Sequence, residues 1–268
     1  MRIYRIEHQG ATCYARTSDA SSHAQAGTPA SPRLELLTAA PWLPGSTATG
    51  EHVALASARL LAPVSPSKIV CVGRNYAAHA RELGNDVPTE PLLFLKPASA
   101  LLAPEAAIVL PRASQRVEHE AEIGIVIGQR LKDASEAQAL AGVFGVTCVN
   151  DVTARDLQRK DVQFTRAKSF DTFCPVGPWI QTDLSLTELR VEGRVNGAVR
   201  QQAPVTDMVF PIATLISFIS HVMTLEPGDL IATGTPEGVG PLLDGDVVEI
   251  EVSGVGVLKN TVQSPAAR

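Results

Sequence analysis

Val117-Glu118-His119-Glu120-Ala121-Glu122-Ile123-Gly124-Ile125-Val126-Ile127-Gly128 starts polar and becomes a run of Ile, Val and Gly. The apolar half reads as a buried strand. Alternate residues of a strand share a face, so Glu118, Glu120 and Glu122 point the same way, neighbours being about 7 Å apart. Carboxylates at that spacing repel, and on entering a buried strand they also lose water. A divalent cation answers both costs. The alternative is a strand that begins at a wet sheet edge, with its glutamates solvated.

A second segment bears on that choice. Val143-Phe144-Gly145-Val146-Thr147-Cys148-Val149-Asn150-Asp151 is another apolar strand, and it ends in an acid. The residues after it, Val152 to Lys160, read as a helix. Asp151 is then either a helix N-cap or a third oxygen ligand. Hard cations such as Mg²⁺ take a few carboxylates plus waters and keep positions open for substrate oxygens. Glu120, Glu122 and Asp151 would make such an open site.

Composition narrows the classes. At 268 residues and 45% hydrophobic, the chain can bury a sizeable core. Its net charge is −5 and it has no basic run, which argues against nucleic acid as a partner. The four cysteines, Cys13, Cys71, Cys148 and Cys174, show no CxxC spacing. They are expected to be reduced core or near-core thiols of a cytoplasmic protein. The N-terminus lacks the apolar core of a signal peptide. Met208 to Leu225 carries no Asp, Glu, Lys or Arg, yet its apolar residues fall at helical spacing with Ser, Thr and His between them. It is expected to be an amphipathic core helix rather than a membrane span, with Pro211 in its first turn.

Along the chain, residues 1–65 read as a small N-terminal subdomain that begins with a strand at Ile3, Tyr4 and Ile6. Ser18 to Pro32 reads as a loop, and Pro63, Ser65 and Pro66 mark a linker. Residues 66–268 form the larger unit. There, Lys68–Val72, Pro91–Lys96, Trp179–Ile180, Val191–Val195, Asp229–Thr233 and Val247–Val252 are predicted strands. Asn75–Leu83 and Glu136–Leu140 are predicted helical. Asn196-Gly197 signals a hairpin, and Ser253-Gly254 turns the chain toward Val257-Leu258. Many strands and few helices make the class α+β.

Five segments, in order, resemble the fumarylacetoacetate hydrolase family: Gly73-Arg74-Asn75-Tyr76-Ala77-Ala78-His79-Ala80-Arg81-Glu82, Glu120-Ala121-Glu122, Asn150-Asp151-Val152-Thr153-Ala154-Arg155-Asp156, Ala167-Lys168-Ser169-Phe170 and Thr233-Gly234-Thr235-Pro236-Glu237-Gly238-Val239-Gly240. The resemblance spans roughly residues 66 to 260. It implies a mixed β-sandwich roll and a homodimer. It also implies one Mg²⁺, Mn²⁺ or Ca²⁺ held by Glu120, Glu122 and Asp151, and small 2-oxo or diketo acid substrates.

The remaining candidates are weighed on that basis. His79 and Glu82 sit three apart on one helix face. Taken alone, the pair is more often a solvated contact worth a few tenths of a kcal/mol. By resemblance it lies on a mobile lid, where the carboxylate orients a general base for water. Arg155 and Gln158 share a helix face and could bind a substrate carboxylate, or Arg155 could be an exposed charge. Lys168 is flanked by aromatics. A lone lysine is usually solvated, but the family match makes this one a stabiliser of an enolate. The loop from Thr233 to Gly240 lacks the ending of a nucleotide-binding loop. Its glycines let backbone amides approach an anion, and Thr235 is the candidate carboxylate contact, with a structural turn as the alternative. Lys96 is a weaker candidate, and His119 is expected to be packed behind the site.

The leading expectation is a metal-dependent hydrolase of C–C bonds in acylpyruvates, with His79, Glu82 and Lys168 catalytic. The alternative keeps the metal and the enolate but performs 2-oxo acid decarboxylation, tautomerisation or isomerisation. A non-catalytic ligand-binding protein is the third reading, opposed by intact candidates at every site position.

Overall fold

The computed structural model describes residues 1–17 and 32–266, so nearly all of the loop expected at Ser18 to Pro32 lies outside the described residues. The class is α+β, as expected. One large sheet runs in the order Ala48–Ala54, Arg33–Leu37, Ala11–Thr17, Arg2–His8, Cys174–Gln181, Val143–Asn150, Ala121–Ile127, Leu230–Ala232, Ile69–Gly73, Leu92–Lys96. A five-stranded sheet of Ala198–Pro204, Arg190–Val195, Val247–Val252, Gly256–Gln263 and Ala107–Val109 packs against it.

The strand Ala121–Ile127 lies at the centre and is buried along its whole length. Ile123, Ile125 and Ile127 face a core shared with Val191, Val248 and Ile250 of the smaller sheet. Val126 faces a second core with Ile69, Val149 and Leu230. Burial on both faces explains why this stretch reads as an unbroken apolar run rather than an alternating one. The strands Arg190–Val195 and Val247–Val252 alternate buried with half-buried or exposed residues, as one-sided burial requires. The hairpin at Asn196-Gly197 forms with both residues at positive φ, 52° and 77°.

The first strand, Arg2–His8, joins the large sheet through Arg2↔Gln181 and Ile3↔Ile180. Tyr4, Ile6, Ala15, Leu34, Leu36 and Val53 form their own small cluster there.

Several expected boundaries move. The chain after Asp151 does not turn helical at once. Thr153–Ala154 is a short strand paired with Val117 and Glu118, and the helix is Arg155–Lys160. Around His79 the helix is Ala77–Glu82, beginning later than expected because Asn75 is held by tertiary bonds. The Asn75 side chain donates to Phe210 O at 3.1 Å and Thr233 O at 2.8 Å, and accepts from Phe210 N at 2.9 Å. Pro211 caps the helix Ile212–Val222 from just outside. Among the described residues no helix is long and apolar enough to cross a membrane. Cys71, Cys148 and Cys174 are buried free thiols, and burial pushes the last two up to about 12. Cys13 is only half-buried.

Candidate functional site

Glu120 occupies the break between Val117–His119, which belongs to a three-stranded sheet, and Ala121–Ile127. The Glu120 N–H donates to Asn150 Oδ1 at 3.0 Å, and the Asp151 N–H donates to Glu120 O at 2.9 Å. Those two bonds bring the end of Val143–Asn150 alongside the glutamates. One carboxylate oxygen from each of Glu120, Glu122 and Asp151 lies within 4.8 Å of the others, and all three side chains are buried. Glu118 stays outside this triad; its carboxylate takes Arg116 and Arg155, each at 2.6 Å.

Cations surround the acids unevenly. The Lys168 ammonium donates to Glu120 Oε2 at 2.8 Å and Asp151 Oδ2 at 2.6 Å, and stands 4.9 Å from the Phe94 ring centre. Burial pulls this ammonium down, but Asp151 and Glu120 outweigh it and leave the group pushed up to about 12. Glu120 is driven up by burial and down more strongly by Lys168, Arg155 and His79, so its carboxyl sits well below the usual range. Glu122 forms no ion pair among the described residues, although Lys168 is near enough to oppose its neighbours. Its carboxylate accepts the Gly234 N–H at 2.8 Å, and burial, Asp151 and Glu120 all raise it well above the usual range. Three hard oxygen donors, one of them in no ion pair among the described residues, fit a divalent cation.

Sequence reasoning ranked Lys96 low, yet it is a member of this cluster. It is buried, with Nζ 2.6 Å from Asp151 Oδ1 and 3.2 Å from Val152 O. A lysine ending a strand carries no local signal that an acid 55 residues away will be its partner.

Arg155 is buried, but it is committed to the protein. Nε donates to Glu118 Oε2 at 2.6 Å, Nη2 to Glu120 Oε1 at 2.5 Å, and Nη1 to Gln158 Oε1. In this state it braces the glutamates, and only its remaining N–H groups are left for a substrate.

His79 is buried on the short helix, its Nδ1 3.3 Å from Glu82 Oε2. A carboxylate only accepts, so Nδ1 carries the proton and Nε2 is left as a base. Glu82 also accepts the Gly238 N–H through both oxygens, at 3.0 and 3.2 Å. The Thr235 hydroxyl donates its one proton to Ala121 O at 2.9 Å.

Behind this loop sits Gln201, which sequence reasoning missed. Its Oε1 accepts from the Ala121 N–H at 2.9 Å and lies 2.9 Å from His119 Nδ1. Its Nε2 donates to Thr235 Oγ1 and Pro236 O, each at 2.7 Å. One saturated buried amide therefore ties the glutamate strand to the glycine loop. His119 is packed behind the site as expected, and burial lowers its imidazole below the ordinary value.

Glu120, Glu122, His79, Lys168, Arg155, Gln158 and Thr235 all line one cavity of about 210 Å³. Asp151 sits directly beneath, through Lys168. A single chamber thus holds an acidic end, a base and an ammonium.

Similarity to known proteins agrees with this architecture. Residues 68–263 match the model for fumarylacetoacetate (FAA) hydrolase C-terminal, and residues 1–63 match Rv2993c-like, N-terminal. The chain is 44% identical over 243 residues to oxaloacetate tautomerase FAHD2A, mitochondrial, of Bos taurus, covering 86% of this chain and 74% of that protein. It is 44% identical over 195 residues to oxaloacetate decarboxylase, mitochondrial, of Dictyostelium discoideum, covering 70% and 89%. Among solved structures it superposes on 2-hydroxyhepta-2,4-diene-1,7-dioate isomerase from Mycobacterium marinum with a TM-score of 0.88 and 42% identity over the full length of both chains. The chain belongs to the fumarylacetoacetate hydrolase family.

Proposed function

We propose that this protein is a divalent-metal-dependent enzyme that converts small 2-oxo acids through an enolate, by tautomerisation, isomerisation or decarboxylation. The observation that carries the reading is that His79, held by Glu82, lines the same cavity as Glu120 and Glu122, which cluster with Asp151. Relatives named for oxaloacetate tautomerisation, oxaloacetate decarboxylation and hydroxyheptadienedioate isomerisation support it. The metal is proposed to be Mg²⁺, with Mn²⁺ or Ca²⁺ as substitutes. When bound at Glu120, Glu122 and Asp151, it supplies Lewis acidity toward adjacent oxo and carboxylate oxygens.

The protein's own groups supply the rest. Glu82 fixes the tautomer of His79, whose Nε2 can take a proton from the carbon next to the oxo group and return it elsewhere. The Lys168 ammonium steadies the negative charge that collects on oxygen. Arg155, braced against Glu118 and Glu120, offers its remaining N–H groups, and Gln158 and the loop at Thr235 complete the wall. C–C hydrolysis of acylpyruvates is the second reading. It is favoured by the His79–Glu82 pair, since the same imidazole could deprotonate water. Homodimeric assembly and a cytoplasmic location belong to the proposal through the family resemblance.

Oxaloacetate, acetylpyruvate, fumarylpyruvate and a hydroxy-diene-dioate, assayed with Mg²⁺ and with chelator, test this. Metal-dependent loss of the enol absorbance of oxaloacetate without acyl cleavage supports the first reading. Release of pyruvate from the acylpyruvates supports the second. Robust turnover of a plain ester without metal would refute both.

A further inference from the structure

Gln201 lies on Ala198–Pro204, the strand at one edge of the five-stranded sheet, where alternating burial turns Gln201 and Ala203 inward. It is 1% exposed, and small neighbours make the room for it. Its cross-strand partner is Gly193, where a Cβ would fall 2.9 Å from Ala121 Cβ and 3.3 Å from Gln201 Oε1.

The orientation of the amide is forced. The Ala121 N–H can only donate, so the atom facing it is Oε1. The Pro236 carbonyl can only accept, so the atom facing it is Nε2. A flipped amide would set N–H against N–H on one side and oxygen against oxygen on the other. The second Nε2 proton then goes to Thr235 Oγ1 at 2.7 Å, and the Thr235 hydroxyl proton goes to Ala121 O at 2.9 Å. Thr235 therefore keeps no proton for a ligand carboxylate. Its hydroxyl closes a ring of hydrogen bonds between Gln201 and both backbone groups of Ala121.

Thr235 and Pro236 are the middle of a loop whose two ends serve the site. Gly234, just before Thr235, gives its N–H to Glu122. Gly238, two residues after Pro236, gives its N–H to Glu82, which holds His79. Ala121, at the other side of the ring, lies between Glu120 and Glu122.

We infer that Gln201 is a positioning residue whose amide locks the glycine loop to the glutamate strand, and so sets Glu122 and the His79–Glu82 pair relative to each other. Both ends of its amide are spent within the protein, so it acts through Gly234 and Gly238 and not on a ligand. Its effect on metal binding rests on the reading that Glu122 is a ligand.

The test uses two variants of the full chain. Gln201→Glu is close in shape and keeps the acceptor for Ala121, but sets an oxygen against Pro236 O. Gln201→Met removes both polar ends. Val252→Ala, in the buried core and outside the cavity lining, is the stability control. Amide hydrogen exchange of Gly234 and Gly238 in the metal-free protein reads the loop, and calorimetry with Mn²⁺ alone reads the ligands. In either Gln201 variant, exchange at the two glycines should rise together by at least about tenfold, a local opening short of global unfolding. Mn²⁺ should bind about 10- to 100-fold more weakly, the usual cost of losing a group that orients a ligand. Val252→Ala should lower the melting temperature and leave both readouts unchanged. Unaltered exchange at both glycines, or a rise matched by Val252→Ala, would overturn the positioning role. Absence of Mn²⁺ binding in the wild type would overturn the metal reading and the role toward Glu122, while glycine exchange would still decide the loop lock. Wild-type Mn²⁺ affinity retained in the Gln201 variants would overturn the role toward Glu122 alone.

Discussion

The Glu82 carboxylate, which steadies His79 on one side, is held on the other by the backbone N–H of Gly238. The helix Ala77–Glu82 is therefore latched to the glycine loop, and the same loop presents the Gly234 N–H to Glu122. The His79–Glu82 pair and Glu122 share one backbone support. A change in that loop should reach both.

Gly238 is the sharpest place to test the support. Its φ is +98°, and a Cβ there would fall 1.9 Å from Arg200 O. Gly238→Ala must therefore push the loop off the strand Ala198–Pro204. We predict that kcat falls by at least about tenfold, an effect of losing fixed geometry around the base. Steady-state kinetics checks this, and a kcat within twofold of wild type would count against the latch.

His79→Ala should lower kcat by about 10²- to 10⁴-fold, the usual size of general-base catalysis. Glu82→Gln should impair the same step less, because an amide oxygen can still accept from Nδ1. Mn²⁺ affinity, measured by calorimetry, should barely move in either variant. Wild-type turnover in His79→Ala would remove the imidazole from the mechanism.

Glu122 is buried against Glu120 and Asp151 and forms no ion pair among the described residues. Glu122→Gln should therefore raise the melting temperature of the metal-free protein, since it removes a like-charge cluster member and keeps an acceptor for Gly234. The same variant should no longer be stabilised by added Mg²⁺, because binding to the native state is what raises apparent stability. Thermal melts with and without Mg²⁺ read both effects. Unchanged Mg²⁺ stabilisation would exclude Glu122 as a ligand.

Lys96 is a structural counter-charge, so Lys96→Met should be costly. It leaves an oxygen of buried Asp151 unmatched. Removing one partner of a buried pair typically costs about 3–5 kcal/mol. Urea denaturation of the metal-free protein should show a loss of this order. A loss under about 1 kcal/mol, small beside that range, would show that Asp151 is neutralised by Lys168 alone.

His119 gives a pH dependence with a definite sign. Burial lowers its folded-state value below the ordinary 6.5. As pH falls through 6.5, the unfolded chain takes up a proton that the folded chain refuses, so stability is lost. This contribution is present above 6.5 and declines down to the folded-state value. His119→Gln should flatten the melting-temperature profile across that window. An unchanged slope would mean that the imidazole titrates alike in both states.

Much of this protein was legible in the residues themselves. Glu120 and Glu122 show their shared face through a spacing of two. Val247–Val252 shows one-sided burial through alternation, and Asn196-Gly197 shows its hairpin through the φ > 0 that both positions adopt. These are local properties, set by backbone periodicity and steric limits within a few residues. The tertiary structure alone decided that Lys96 reaches Asp151, that Gln201 ties Ala121 to Thr235, and that Arg155 spends its guanidinium on Glu118 and Glu120. It also delayed the helix after Asp151, because Thr153 and Ala154 are claimed by strand partners at Glu118 and Val117. Each of these depends on charges and hydrogen-bonding groups dozens of residues apart being desolvated together. Their partners are set by the order of strands in the sheets, which no local pattern encodes.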